Sequence, residues 1–338
     1  MFSCLVAGAV SLGRFINYQT PMLHRTACLL VTTALLVSAL VGVAVEPSQP
    51  VTSSAPAARA LPNPFGVFNL APFNQLPAQQ QVDLAMTNGY DGLMASVSLK
   101  NSLLRLREFT AVPTVRDGQF KIYAVLWQSP IANPLDLKFL TEFLVIAKEL
   151  NAAIWCNIVG APGERTNTVA RLQLIADQCR ATGVQLVLYP HYDCTFETTE
   201  QALEIWQKMN RPEVKLSIHL CHELKAKNQD RLDEIIANVA PLLALASLNG
   251  VDTSVDFLVK GWNTMIIPLD QGDYDNRPYL AALIRHGYTG PILLHNYGFK
   301  TPPEEYLPAS IKRWREISAD VARQIAEEKA VSKPTVKP

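Results

Sequence analysis

The 338-residue chain carries no excess charge of either sign. Thirty Lys and Arg offset thirty Asp and Glu, and charged residues make up 18% of the chain. Without a basic or acidic bias, the composition gives no footing for a nucleic-acid or anionic-membrane partner. Cysteine is scarce: six residues, none in CxxC spacing, two of them (Cys4 and Cys28) in an N-terminal apolar segment. This excludes a disulfide-dense scaffold or a zinc-finger framework; export would permit one bridge among Cys156, Cys179, Cys194 and Cys221, and the expected reading is buried thiols in a large core. No Gly-rich loop follows the first β-like segment, where the chain reads APFNQLPAQ. A doubly wound sheet for dinucleotides usually announces itself with such a loop. Against these absences stands 49% hydrophobic residues, enough for a large core.

The N-terminal region is not read as fold. His24 and Arg25 precede an apolar run, Ala27 to Ala44, that ends near the small residues Gly42, Val43 and Ala44. A basic flank, an apolar stretch and small residues describe a secretory signal, so residues 1–45 are expected to be removed and the mature protein exported to a periplasmic or extracellular space. Met22 is the expected true start. The competing reading is an uncleaved membrane anchor, since the run approaches the ~20 residues of a span. Residues 46–63, rich in Pro, Ser and Ala, read as a flexible linker.

From residue 64 the pattern becomes regular. Eight short apolar, β-branched runs appear: Phe65–Leu70, Gly92–Val97, Lys121–Trp127, Ala153–Val159, Gln185–Tyr189, Lys215–Leu220, Leu242–Leu248 and Ile292–His295. Helical spacing marks most of the gaps: Ser102 to Phe109, Leu137 to Leu150, Thr168 to Arg180, Glu200 to Met209, Gln229 to Val239, and Asp275 to His286 closed by Gly287. Eight strand–helix units over about 250 residues predict a single (β/α)8 TIM barrel across 64–320, with 321–338 as a C-terminal extension and tail.

The working site of such a barrel lies at the C-terminal ends of the strands. Strand residues two apart share a face, which groups Tyr189 with His191, Ser217 with His219, Ser247 with Asn249, and Leu293 with His295. Trp127 and Asn157 end strands three and four. Histidines 191, 219, 222 and 295 therefore converge on one end of the barrel. His286 sits at a helix end, where capping accounts for it.

Several segments together resemble the xylose-isomerase-like barrel superfamily, the group of sugar isomerases and epimerases that also includes endonuclease IV. They are GVQLVLYPH at 183–191, HLCH at 219–222, LNG at 248–250 and PLDQGDYDNRPYLAALIRHGYTGPILLHNYG at 268–298. The resemblance covers roughly 64–317. It implies a divalent metal held by Glu on strand five, Asp on strand six, His near strand seven and Glu on strand eight. That metal polarises a sugar carbonyl while the carboxylates move a proton between adjacent carbons. Here those positions carry Tyr189, His219, Asn249 and His295, and only His222 matches its counterpart. A hard, oxygen-rich Mg²⁺ or Mn²⁺ site does not follow from this set.

Three chemistries stay open. His219, His222 and His295, with His191 nearby, form a nitrogen-rich site for zinc or manganese, with Asp193 and Glu223 as loop carboxylates. Alternatively, no metal binds and the histidines themselves act as acid and base. Or the barrel binds a carbohydrate without turning it over. Trp127, Asn157, Tyr189, Asn249 and Lys300 are the expected substrate contacts, with Tyr192, Trp262 and Tyr297 as further stacking surfaces and Arg165 and Lys225 as further loop cations. The expected partner is a small carbohydrate or polyhydroxy carbonyl compound. Nucleic acid is not expected, because neither an acidic multi-metal cluster nor a basic face is present. A membrane enters only through an uncleaved N-terminal segment.

Overall fold

A computed structural model describes residues 60–97, 102–254 and 261–331. The expected signal, and the linker up to residue 59, lie outside the described residues. Eight parallel strands form one closed barrel in sequence order: β1 Phe65–Phe68, β2 Gly92–Val97, β3 Lys121–Pro130, β4 Ala153–Val159, β5 Leu186–Leu188, β6 Lys215–His219, β7 Leu243–Leu248 and β8 Ile292–Leu294. The ring closes by pairing Phe65, Gly66 and Val67 of β1 with Ile292, Leu293 and Leu294 of β8. All eight expected strands are present, so the predicted fold holds.

Strand alternation divides the apolar side chains into two cores. Ile154, Cys156, Leu186, Leu188, Leu216, Ile218, Ala246 and Leu248 face outward and pack under the helices. The residues between them turn inward: Phe68, Met94, Ala124, Trp155, Val187, Tyr189, Leu245 and Leu293 fill the barrel interior. Parallel strands buried on both faces are nearly continuous apolar runs, which is why sequence alone leaves the inward phase open and the polar residues at the strand ends decide it.

The helices that wrap the barrel begin and end by local chemistry. Asp136 accepts the amide of Phe139 at 2.9 Å to start Leu137–Glu149, and Thr198 accepts that of Gln201 at 3.3 Å to start Thr199–Met209. Gly183 ends Arg165–Thr182 in the left-handed conformation, φ 73°, which costs a residue without Cβ nothing. Ala78–Asn88, between β1 and β2, is a helix beyond those expected, and its buried Ala78, Val82 and Ala85 fall at helical spacing. The expected linker is shorter at its C-terminal end: Leu61 and Asn63 are buried, and Asn63 Nδ2 donates to the carbonyls of Tyr288 and Gly290. The boundary expected at 320 falls inside the last helix, Pro303–Val331, whose Val321 and Ile325 are buried. All four cysteines of the barrel are free and buried. No helix among the described residues is long and apolar enough to cross a membrane.

Candidate active site

At the C-terminal mouth a cavity of about 280 Å³ opens between Leu126 and Gln128 of β3, Tyr189 and His191 after β5, His222 after β6, and His295 and Tyr297 after β8. This is near the lower end of the range for small-molecule sites. Trp262 and Ile266 form part of the wall opposite. The segment that carries them is held by β7. Asn249 Nδ2 donates to the carbonyls of Gly250 and Met265, and Gly250 pairs with Ile267 through two backbone bonds. A Cβ at Gly250 would stand 2.1 Å from the carbonyl oxygen of Pro268, so the close approach of the two chains requires glycine there. Lys225, nearly buried, sets its ammonium 5.6 Å from the Trp262 ring centroid and 5.9 Å from that of Tyr192, within cation–π range.

Below the cavity lies a polar layer inside the barrel. Trp155 Nε1 donates to Ser217 Oγ at 2.7 Å, and Ser217 Oγ donates to the Leu188 carbonyl at 2.8 Å. Having spent its only proton, the Ser217 hydroxyl can only accept at its 3.3 Å contact with His219 Nε2. The His219 proton therefore sits on Nε2, and Nδ1 accepts from Ser247 Oγ at 2.9 Å. The ring also stacks on Trp155, with centroids 4.6 Å apart, and against Tyr189 at 4.0 Å. Burial, with His295 and His191 adding to it, holds His219 well below the usual imidazole pKa.

The same accounting fixes two rings that line the cavity. His191 Nδ1 lies 2.7 Å from the Tyr192 carbonyl. A carbonyl only accepts, so Nδ1 carries the proton and the Nε2 lone pair has no partner among the described residues. His222 Nδ1 accepts the Tyr192 amide at 3.4 Å, so the proton of the neutral ring is on Nε2, which faces the Tyr189 hydroxyl at 3.3 Å. His295 packs edge-on against Phe68, centroids 4.4 Å apart, and its buried Nδ1 has no hydrogen-bond partner among the described residues. Burial, reinforced by His191, brings the His295 pKa down to about 3. Burial also lowers His191 and, with the neighbouring imidazoles, lowers His222 well below its usual range. All four rings are thus neutral near pH 7.

The structure brings Tyr189, His191, His222 and His295 to one cavity and places the other expected site residues elsewhere. His219 is one layer down. Trp127 points outward onto Phe139 and Phe143, because β3 turns Leu126 and Gln128 inward. Asn157 is fully buried beside Cys194, and Asn249 is consumed in holding the 262–267 segment. Lys300 is exposed and away from the cavity. Of the loop cations, Arg165 donates to the Thr195 carbonyl. Glu223 accepts from Thr199 N, Thr199 Oγ1 and Asn228 Nδ2, each at 2.7 Å, tying two loops together. Asp193 is exposed, in a left-handed turn with φ 65°. Gln128 and Trp155 escaped the sequence reading. A lone polar residue one past the expected end of β3 was the signal for Gln128.

The metal implied by the resemblance does not fit these donors. Both nitrogens of His219 and both of His222 are engaged by protein groups, so neither offers a lone pair, and no carboxylate is among the cavity-lining residues described. Among the described residues no three His, Cys, Asp or Glu side chains are disposed to hold an ion. The expected trio of His219, His222 and His295 is therefore corrected: the three rings share a neighbourhood but not a common coordination point.

The family model of the xylose isomerase-like TIM barrel matches residues 136–317, more than half of the chain. No curated protein matches. Among solved structures, a xylose isomerase-like TIM barrel/4-hydroxyphenylpyruvate dioxygenase fusion protein is similar at TM-score 0.63 and 16% identity over 81% of this chain; the chain spans 45% of that protein's length. A 3-keto-D-glucoside 4-epimerase from E. coli gives TM-score 0.59 and 14% identity over 75% of this chain and 99% of that one. An L-ribulose 3-epimerase gives TM-score 0.58 and 16% identity, covering 82% and 100%. At these identities the likeness is one of fold.

Proposed function

Because the chain belongs to the xylose isomerase-like TIM barrel family, we propose that it is a sugar isomerase, epimerase or lyase of that family that works by proton transfer beside a carbonyl. The substrate class is a small polyhydroxy carbonyl compound, the kind of molecule that the two epimerases of similar fold are named for. One observation carries the reading: His191 lines the cavity with its proton committed to a backbone carbonyl and its Nε2 lone pair free. That is the arrangement a general base needs. His295 Nδ1, buried without a partner, is a second group that a substrate hydroxyl would satisfy. The aromatic faces of Trp262 and Tyr297 suit the apolar face of a sugar ring. The apolar run Ala27–Ala44 supports export of the mature chain.

The test is deuterium exchange. The chain from Glu46 onward is incubated with a panel of ketoses and keto-sugars in D₂O, and loss of the proton beside the carbonyl is followed by NMR. Exchange that falls at least 10²-fold in His191→Gln supports the reading. A second reading, carbohydrate binding without turnover, is favoured by the loss of every carboxylate from the family's ligand positions. It wins if keto-sugars bind and no exchange occurs.

A further inference from the structure

A proton-transfer enzyme without a metal needs another group to hold the charge that develops on the carbonyl oxygen. Tyr189 meets the requirement. Its phenol is in the cavity wall, at the position where the family resemblance implies a metal-binding glutamate. Its one hydrogen-bond partner among the described residues is His222 Nε2, at 3.3 Å. The direction of that bond follows from the other side of the ring. His222 Nδ1 already accepts the Tyr192 amide, so Nε2–H donates and the phenol oxygen accepts. The hydroxyl hydrogen is left with no acceptor among the described residues. We propose that the Tyr189 hydroxyl is the electrophile of this barrel, donating its hydrogen bond to the substrate carbonyl oxygen in the place of the family's metal ion.

The packing below supports the assignment. Tyr189 rests on His219 at 4.0 Å and on Trp155 at 4.9 Å, and His219 is fixed in turn by Ser217 and Ser247. The phenol therefore has little freedom to turn away. Burial raises the Tyr189 pKa well above its ordinary value, so the group stays protonated and able to donate. This inference rests on the proton-transfer reading and completes it. His191 Nε2 takes the proton from the carbon next to the carbonyl. The C–H electron pair becomes the C=C bond, and the carbonyl π pair moves to oxygen. Tyr189 O–H and, behind it, His222 Nε2–H stabilise that oxygen. The imidazolium of His191 then returns the proton on its own face, either to the former carbonyl carbon, as the neighbouring hydroxyl proton passes to the former carbonyl oxygen and a new C=O forms, or to a leaving hydroxyl, which departs as water as the C–O bond breaks. Electrons balance without an oxidant or an added ion.

Two measurements test it. Nitrogen-15 NMR of histidine-labelled chain at pH 7 reads the His222 tautomer directly. Nε2–H is expected, whereas an Nδ1–H ring would mean that the phenol donates to His222, and would overturn the proposal. In the exchange assay, Tyr189→Phe is expected to lower kcat about 10²–10³-fold, the cost of one lost oxyanion donor, with KM changed by less than roughly threefold. A Tyr189→Phe chain that folds and exchanges at the wild-type rate overturns the proposal as well. If the wild-type chain exchanges nothing, the proton-transfer reading fails on its own. The donor assignment is then judged on a ¹³C=O-labelled polyhydroxycyclohexanone. A carbonyl infrared shift seen with the wild type and absent with Tyr189→Phe supports it. No shift, or the same shift in both, rejects it.

Discussion

His219, which ends β6, and His191, which follows the adjacent β5, lie in layers that differ in one respect. In the His219 layer every polar atom is spoken for: Trp155, Ser217, His219 and Ser247 satisfy one another inside the barrel. In the layer above, groups keep unspent capacity: the Nε2 lone pair of His191, the hydroxyl hydrogen of Tyr189 and Nδ1 of His295. A buried polar group with its bonds complete adds rigidity and specificity of packing, whereas one held open is a place for a ligand atom. Residue type does not separate the two roles. Between these two layers, the hydrogen bonds left unmade do.

The comparison can be broken from either side. The largest expected effect on activity is at His191. His191→Gln should lower the exchange rate by about 10²–10⁴-fold while moving stability by less than roughly 1 kcal/mol, because the ring is only half-buried. Next is Trp155→Ala, which removes the largest fully buried side chain of the interior. It should cost about 3–5 kcal/mol in urea unfolding and drop the support under Tyr189. A Trp155→Ala chain as stable as wild type would show that the lower layer is not structural.

Acid should act on both layers at once. The folded-state pKa of His295 lies near 3 against 6.5 for a free imidazole, and those of His219 and His222 are shifted the same way. Below about pH 6.5 the unfolded chain therefore takes up protons that the folded chain refuses. Stability should be full above about pH 6.5 and fall progressively as pH drops toward 3. His295→Phe should flatten that fall, which chemical denaturation at a series of pH values would read. The smallest effect is at Ser247→Ala, which removes one donor to His219 Nδ1 and should cost about 0.5–1.5 kcal/mol.

Much of this was legible in the chain itself. β-Branched apolar runs at regular spacing specified eight strands and a barrel, and Ser217, His219 and His295 marked the inward phase by being polar in apolar strands. Strand phase and the rule that barrel sites lie at the C-terminal strand ends located the mouth. The division between layers was not legible, because it turns on partners distant in sequence: Trp155 on β4 reaches past β5 to Ser217 on β6, and Tyr192 meets His222 from another loop. Trp127 misled because an aromatic strand end reads alike whether it faces the cavity or a helix. Asn249 misled because a polar side chain at a strand end can as well hold the next loop as touch a substrate. The expected zinc or manganese trio failed for the same reason: spacing places histidines together, but only the hydrogen bonds show which lone pairs remain.

The central claim is that the mouth of this barrel works through side chains rather than an ion. Elemental analysis of the untagged mature chain, purified without chelator, tests it most directly. Well under one equivalent of zinc, manganese or other transition metal is expected, with exchange activity unchanged by dialysis against a chelator. One equivalent of bound metal, lost on His219→Ala and required for exchange, would contradict it.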